Sequence, residues 1–241
     1  MKGSRARDCI RALAIEASAC REENVALIEN RYMVVEGPIG VGKTSLANIL
    51  AERFKAGAVL EVVEQNPFLS NFYADRQKYA FQTQLFFLLS RFRQQQELVQ
   101  RDLFNSVTIS DYFFDKDRIF ACLNLDPNEL ALYDRVFDVL GPRLAKPDLV
   151  IFLQARLEVL LQRIKRRGRD FERQFDPEYL DQLIRAYNDF FFHYSDGPLL
   201  VINTSDIDFV NDQEDLENLI NVISRMKKGT HHYLPISSKR V

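Results

Sequence analysis

Residues 32–54 read Tyr32-Met-Val-Val-Glu36, then Gly37-Pro-Ile-Gly-Val-Gly42-Lys43-Thr44, then Ser45-Leu-Ala-Asn-Ile-Leu-Ala-Glu-Arg-Phe54. An apolar strand runs into a glycine-rich loop, and a run of strong helix formers leaves it. The loop matches G-x-x-x-x-G-K-[ST], the Walker A pattern of phosphate-binding loops. Glycine lets such a backbone wrap phosphate oxygens without a Cβ in the way. The helix that follows presents free N–H groups and the positive end of its dipole to an anion. Lys43 is expected to reach the β- and γ-phosphates of ATP, and the Thr44 hydroxyl to ligate Mg²⁺. Gly37, Gly40, Gly42, Lys43, Thr44 and Ser45 form the expected nucleotide-binding loop.

Outward from the loop, short β-rich apolar runs alternate with longer helical stretches, the signature of a parallel α/β sheet. The predicted strands are Tyr32–Glu36, Ala58–Val63, Ser106–Ser110, Leu149–Leu153 and Leu199–Ile202. Several are almost continuous in Val, Ile and Leu, as strands covered on both faces should be. The predicted helices are Thr44–Phe54, a long one near Tyr79–Leu103, Asn128–Leu140, Ala155–Arg166, Pro177–Tyr194 and Glu214–Met226. The expected fold is therefore α/β: a P-loop NTPase-type three-layer fold with a five-stranded parallel sheet flanked by helices and an arginine-rich lid. By itself the loop does not separate GTPases, ATPases and kinases.

At 241 residues, 46% hydrophobic and 27% charged, the chain has material for one sizeable core. Its formal net charge of -2 argues against a surface that coats a nucleic-acid polymer. No apolar run approaches the roughly 18 residues that span a membrane. Cys9, Cys20 and Cys122 are an odd, scattered set, poor material for a disulfide framework or a zinc site and suited to a reducing compartment. Residues 1–30 read as a poorly ordered N-terminal extension; their early arginines suit an organellar transit peptide less well, since Asp8, Glu16, Glu22 and Glu23 intervene.

In a parallel sheet the ligand sits outside the carboxyl ends of the strands. Glu61 interrupts the apolar run Ala58-Val-Leu-Glu61-Val-Val-Glu64. A carboxylate is too costly to bury unpaired, so it should face a polar cavity or a partner. An ionised Glu61 beside a bound hydroxyl has the chemistry of a general base, and Glu64 competes on the same spacing. Asp111 follows the third strand, where an acid suits Mg²⁺. Arg163, Arg167 and Arg169 in RIKRRGRDFE (163–172) bring fixed positive charge and bidentate forks for phosphate oxygens, with Gly168 breaking the helix.

Together these residues resemble the deoxynucleoside kinase family, particularly its bacterial deoxyadenosine/deoxyguanosine kinase branch. The resemblance runs from about Tyr32 to about Phe209, through VVEGPIGVGKTS, EVVEQNPFLSNFY, FQTQLFFLLSRFR, DYFFDKDRIFA, RIKRRGRDFE and NTSDIDF. It implies a kinase domain over residues 31–227, a tail over 228–241, and transfer of the ATP γ-phosphoryl group to the 5′-hydroxyl of a deoxynucleoside, deoxyadenosine or deoxyguanosine favoured, in nucleotide salvage. It implies Glu61 as the general base and Gln84 with Arg91, two helical turns apart, as the pair that reads the nucleobase edge. Tyr73 and Glu172 resemble the residues that hold the sugar 3′-hydroxyl. Asp117, placed with a one-residue gap, resembles the acid that assists Arg91. Arg163, Arg167 and Arg169 resemble the lid arginines, and Asp208 and Phe209 the loop packed against the adenine of ATP. A cytoplasmic homodimer is also implied.

One departure is visible. Many members of the family follow the third strand with Glu-Arg-Ser, where this chain has Asp111-Tyr112-Phe113. The magnesium-binding acid persists in shortened form, and Tyr112 stands where an arginine is expected to steady the transferring phosphate. Two other functions fit the loop: a nucleoside monophosphate kinase of thymidylate kinase type, with Arg91 serving the acceptor phosphate, and a nucleotide-sensing protein without transfer activity.

Overall fold

The apolar runs LVIFLQ and LLVIN lose water on both faces, and they form the centre of a parallel sheet. The structure, a computed structural model, describes residues 31–101, 107–140, 144–169, 172 and 176–235. The strands are β1 (Arg31–Glu36), β2 (Gly57–Val59), β3 (Val107–Ser110), β4 (Leu149–Gln154), β5 (Leu199–Asn203) and β6 (Thr230–Tyr233), ordered β2-β3-β1-β4-β5-β6. Every pairing is parallel, with Met33 opposite Ile109 on one side and Leu149 on the other. After β1 the chain builds β2 and β3 on one side and then β4 to β6 on the other. The order thus reverses beside β1, where a crevice opens at the carboxyl ends of the strands.

Helices cover the sheet: α1 (Lys43–Phe54), α2 (Leu69–Ala74), α3 (Arg76–Arg101), α4 (Lys116–Asn124), α5 (Pro127–Leu140), α6 (Leu157–Arg167), α7 (Pro177–Phe192) and α8 (Gln213–Arg225). Helix α7 starts where Asp176 accepts the Glu178 N–H and Pro177 occupies the first turn. Its stripe of Tyr179, Leu180, Leu183, Tyr187 and Phe191 is buried. Phe191 stacks on Phe152 of β4 with ring centroids 4.2 Å apart, joining helix layer to sheet. Helix α8 is capped by Asp212, which accepts from the N–H groups of Glu214 and Asp215, and it buries Leu219, Ile220 and Ile223.

Three features differ from the sequence expectation. The sheet has six strands, not five: Thr230–Tyr233 adds a parallel edge to β5. Its Thr-His-His-Tyr composition carries no apolar signal because three of the four residues are exposed. The second strand is Gly57–Val59 rather than Ala58–Val63, since its pairing ends where β3 turns away after Ser110. Glu61 consequently lies in the segment beyond the strand. Helices α2 and α4 are short and had no clear periodic signal. The N-terminal extension, residues 1–30, lies outside the described residues, as do 102–106 at the end of the long predicted helix. No helix among the described residues is long and apolar enough to cross a membrane.

Phe152 is fully enclosed between Tyr187 and Phe191. Replacing it with Ala is expected to destabilise the fold by about 3–5 kcal/mol, read as a lowered urea unfolding midpoint at unchanged slope; a loss below about 1 kcal/mol would contradict this packing.

Candidate active site

The loop between β1 and α1 closes around the helix N-terminus. Gly42 is the N-cap of α1 with φ 105°, a left-handed conformation that favours glycine, and no side chain caps the helix. An added Cβ there would stand 3.0 Å from the ring of Phe209. The first turn of α1 has no acidic residue, so its N–H groups and dipole are available to an anion. Lys43 folds back on the loop, its Nζ donating to the carbonyls of Gly37 (2.7 Å) and Pro38 (3.3 Å) and standing 4.0 Å from Glu36 Oε1. Burial pulls its ammonium down to about 8, with Glu36 opposing and Lys116 adding to the shift.

Beside the loop lies a buried network of charges. Glu36, the last residue of β1, has no solvent exposure. Its Oε1 accepts from the Gly37 N–H (2.8 Å) and the Tyr187 hydroxyl (3.0 Å), and its Oε2 from the Phe113 N–H (2.7 Å). Lys116 Nζ stands 3.5 Å from Glu36 Oε2 and donates to Glu61 Oε2 at 2.9 Å. Arg91 Nε donates to Glu61 Oε1 at 2.7 Å; its Nη2 binds the same oxygen and its Nη1 binds Asp117 Oδ1. The Arg91 guanidinium also lies over the Phe87 ring, 4.8 Å from its centroid. Burial would raise the Glu61 carboxyl, but Arg91, then Lys116 and Lys43, outweigh it and hold it well below the usual carboxylate range.

Asp111 is a second link between the loop and this network. Its Oδ2 accepts from the Thr44 hydroxyl at 2.5 Å and its Oδ1 from the Glu61 N–H at 2.7 Å. Burial raises its carboxyl, against the Thr44 hydrogen bond. A hydroxyl and a carboxylate in contact at the phosphate loop are hard oxygen donors of the kind Mg²⁺ takes. Among the described residues no group of three or more His, Cys, Asp or Glu side chains could hold a metal. That donor set fits an ion carried largely by phosphate oxygens and water.

The loop and Glu61 line one cavity of about 840 Å³, of the size that holds a small organic ligand. The expected residues Gly40, Gly42, Lys43, Thr44, Ser45, Glu61, Tyr73, Gln84, Asp111, Arg163, Arg167, Arg169, Glu172, Asp208 and Phe209 all line it. Gly37, Arg91 and Asp117 do not. A Cβ on Gly37 would meet the Leu153 carbonyl oxygen at 2.4 Å, so this glycine serves the approach of the loop to β4. Arg91 and Asp117, buried, brace Glu61 from behind the cavity wall.

The arginines of the α6 end are engaged with protein. Arg163 donates to the Thr204 hydroxyl (3.1 Å) and carbonyl (2.8 Å) and to the Val41 carbonyl (3.2 Å), tying the phosphate loop to the segment after β5. Arg167 forks onto the Glu172 carboxylate, and Arg169 pairs with Glu64 at 2.8 Å. Glu64, the competing base, is half exposed on this rim and does not line the cavity. Gly168, with φ 69°, ends α6 as the sequence suggested. Burial raises the Tyr73 phenol well above its usual value, Tyr179 and Glu172 adding to it.

Sequence reasoning missed Lys116, Phe87, Arg166, Tyr179 and Tyr187 in the cavity wall, and Glu36 beneath it. Glu36 was legible as a carboxylate closing an apolar strand. Lys116, between two aspartates, reads as a solvated charge until α4 turns it inward.

A Walker A loop on a parallel sheet, facing a buried carboxylate across a ligand-sized cavity, defines a P-loop phosphotransferase. The deoxynucleoside kinase family model matches residues 33–227, and the chain belongs to that family. Deoxyguanosine kinase of Bacillus subtilis is 36% identical over 193 residues, 78% of this chain and 93% of the relative. Deoxyadenosine kinase of Lactobacillus acidophilus is 34% identical over 207 residues, 80% of this chain and 94% of the relative. A solved deoxyadenosine kinase from M. mycoides with bound dCTP shares the fold at a TM-score of 0.69 and 23% identity, covering 81% of this chain and 100% of that one.

The depressed Lys43 ammonium predicts a pH-dependent nucleotide affinity. Phosphate oxygens bind the charged form, and the free protein loses that charge as pH rises through about 8. ATP affinity is expected to fall progressively above that pH, with protons taken up on binding. Titration calorimetry in two buffers of different ionisation enthalpy checks this; proton release on binding would contradict it.

Proposed function

We propose that this kinase transfers the γ-phosphoryl group of ATP to the 5′-hydroxyl of a purine deoxynucleoside, deoxyadenosine or deoxyguanosine, in nucleotide salvage. The observation that carries the reading is the company kept in one cavity: Lys43, Thr44 and Ser45 from the phosphate loop and α1, the carboxylate of Glu61, and Gln84, Phe87 and Tyr73 all line it. The names of the relatives support the purine preference.

In this reading Glu61 orients the 5′-hydroxyl and takes its proton as the oxygen attacks the γ-phosphorus. Its ionised state is secured by Arg91 and Lys116. Lys43 and the arginines at the end of α6 supply positive charge to the phosphates, where phosphoryl transfer most needs it. Thr44 and Asp111 would hold Mg²⁺, which neutralises phosphate charge when bound. Tyr73 and Glu172 would hold the sugar, Gln84 would read the base edge, and Asp208 with Phe209 would cover the adenine of ATP. Arg91 and Asp117 would act on base recognition through the wall behind Gln84 and Phe87.

The monophosphate-kinase reading loses support, because Arg91, the charge such an acceptor would need, is committed to Glu61 and Asp117. A cytoplasmic homodimer belongs to the same proposal, supported by Leu89 on α3 and Leu132 and Val139 on α5, apolar side chains left at the surface.

ATP consumption with each deoxynucleoside and each deoxynucleoside monophosphate offered separately tests the reaction. Turnover is expected with deoxyadenosine or deoxyguanosine, and turnover only with a monophosphate would overturn it. Glu61→Gln is expected to lower kcat by about 10²–10⁴-fold with nucleoside binding retained; near-normal turnover of a folded variant would remove Glu61 from the role of base.

A further inference from the structure

The arginine that the family resemblance led one to expect after β3 is replaced by Tyr112, and Tyr112 is wholly buried without lining the cavity. The arginines at and just after the end of α6 do not fill the gap at the acceptor end, since Arg163 is held by Thr204, Arg167 by Glu172 and Arg169 by Glu64, and Arg166 lies near Asp208 and Arg163. Arg91 stands behind Glu61, outside the cavity lining. Lys116 lines the cavity too, and of its cations it is the one bonded to Glu61.

Its position follows from Glu36. One oxygen of that carboxylate stands 4.0 Å from Lys43 Nζ and the other 3.5 Å from Lys116 Nζ. The two ammonium groups are thus held on either side of a single buried carboxylate. Lys116 in turn donates to Glu61 Oε2 at 2.9 Å. A line of charges, Lys43, Glu36, Lys116, Glu61, runs from the phosphate loop to the base. An ammonium carries three donors. Glu61 takes one and Glu36 faces a second, which leaves a donor for a ligand oxygen in the cavity.

Resting on the kinase reading above, we infer that Lys116 is a catalytic residue: it binds the transferring phosphoryl group beside the acceptor oxygen and replaces the arginine displaced by Tyr112. As the 5′-oxygen forms its bond to the γ-phosphorus, the bond from that phosphorus to the β–γ bridging oxygen breaks and ADP leaves. The hydroxyl proton passes to Glu61. Lys116 gives up no proton; its charge meets the negative charge gathering on the equatorial oxygens from a buried position, where a fixed cation acts most strongly. Placement on the first turn of α4, beside Asp117, couples it to the element that also braces Arg91.

The test compares Lys116→Met, Lys116→Arg and Lys116→Ala with the parent, using whichever acceptor the parent phosphorylates. Failure of the nucleoside reading would show in the parent's choice of acceptor, and failure of this inference in the variants. Lys116→Met is expected to lose about 10²–10³-fold in kcat, with the acceptor KM held within about threefold. Lys116→Arg, which keeps the charge, is expected to recover at least about tenfold of that loss. Ethylammonium added to Lys116→Ala is expected to raise kcat in proportion to its concentration, a response that a structural role would not give. Because the Met variant removes one of the two cations around the buried Glu36, Glu36→Gln combined with Lys116→Met removes both charges and is expected to fold and remain inactive. A kcat for any folded, lysine-free variant within about threefold of the parent would overturn the inference, as would a loss that follows thermal stability and shows no rescue by the amine.

Discussion

A carboxylate with no exposure to water must be satisfied by its neighbours, and the rest of this site is arranged around the one at Glu36. Backbone N–H groups from Gly37 and Phe113 and the Tyr187 hydroxyl meet it. Those three bonds bring together the start of the phosphate loop, the segment after β3 and helix α7. Two lysines complete the shell, and through Lys116 the network extends to Glu61, Arg91 and Asp117. Three carboxylates and three cations balance one another. Burying such a set costs heavily in desolvation and adds little net stability, while removing one partner from a buried pair costs about 3–5 kcal/mol. The network is therefore better understood as a positioning device than as a source of stability.

That arrangement explains the state of the base. A glutamate in an enclosed cavity would ordinarily gain a proton, and Glu61 is kept ionised by the guanidinium behind it and the ammonium beside it. The same cations limit its basicity. On the proposed reading, phosphate oxygens would draw on Lys116 and Lys43, loosen their hold on Glu61 and leave its Oε2 open to the hydroxyl proton. Substrate arrival and activation of the base would then be one event, which would also suppress ATP hydrolysis by water.

Much of this was legible in the sequence, and the reasons differ from residue to residue. Gly37–Thr44 declares itself because only a glycine-rich turn ahead of a helix can wrap phosphate, and the strands next to it are uninterrupted runs of Val, Ile and Leu. Glu61 stood out as a charge in an apolar run, although the strand stops two residues before it. The sixth strand was hidden because an exposed edge needs few apolar residues: Thr230–Tyr233 joins the sheet by backbone pairing with β5, and of its side chains Tyr233 packs against the core. Lys116 was hidden for a related reason. A lysine flanked by aspartates has the local look of a surface charge, and its burial is decided by Glu36 and Glu61, eighty and fifty-five positions away in the chain. Gln84 and Arg91 share a helix face as their spacing implied, yet only Gln84 reaches the cavity; the sequence has no means of saying that Arg91 is claimed by Glu61 first.

The most direct measurement is a crystal structure with deoxyadenosine and a non-hydrolysable ATP analogue bound together. The account predicts the 5′-hydroxyl within hydrogen-bonding distance of Glu61 and directed at the γ-phosphate, with Lys43 and Lys116 on its oxygens and the base beside Gln84. A nucleoside bound with its 5′ end turned away from Glu61, or a γ-phosphate out of reach of Lys116, would contradict it.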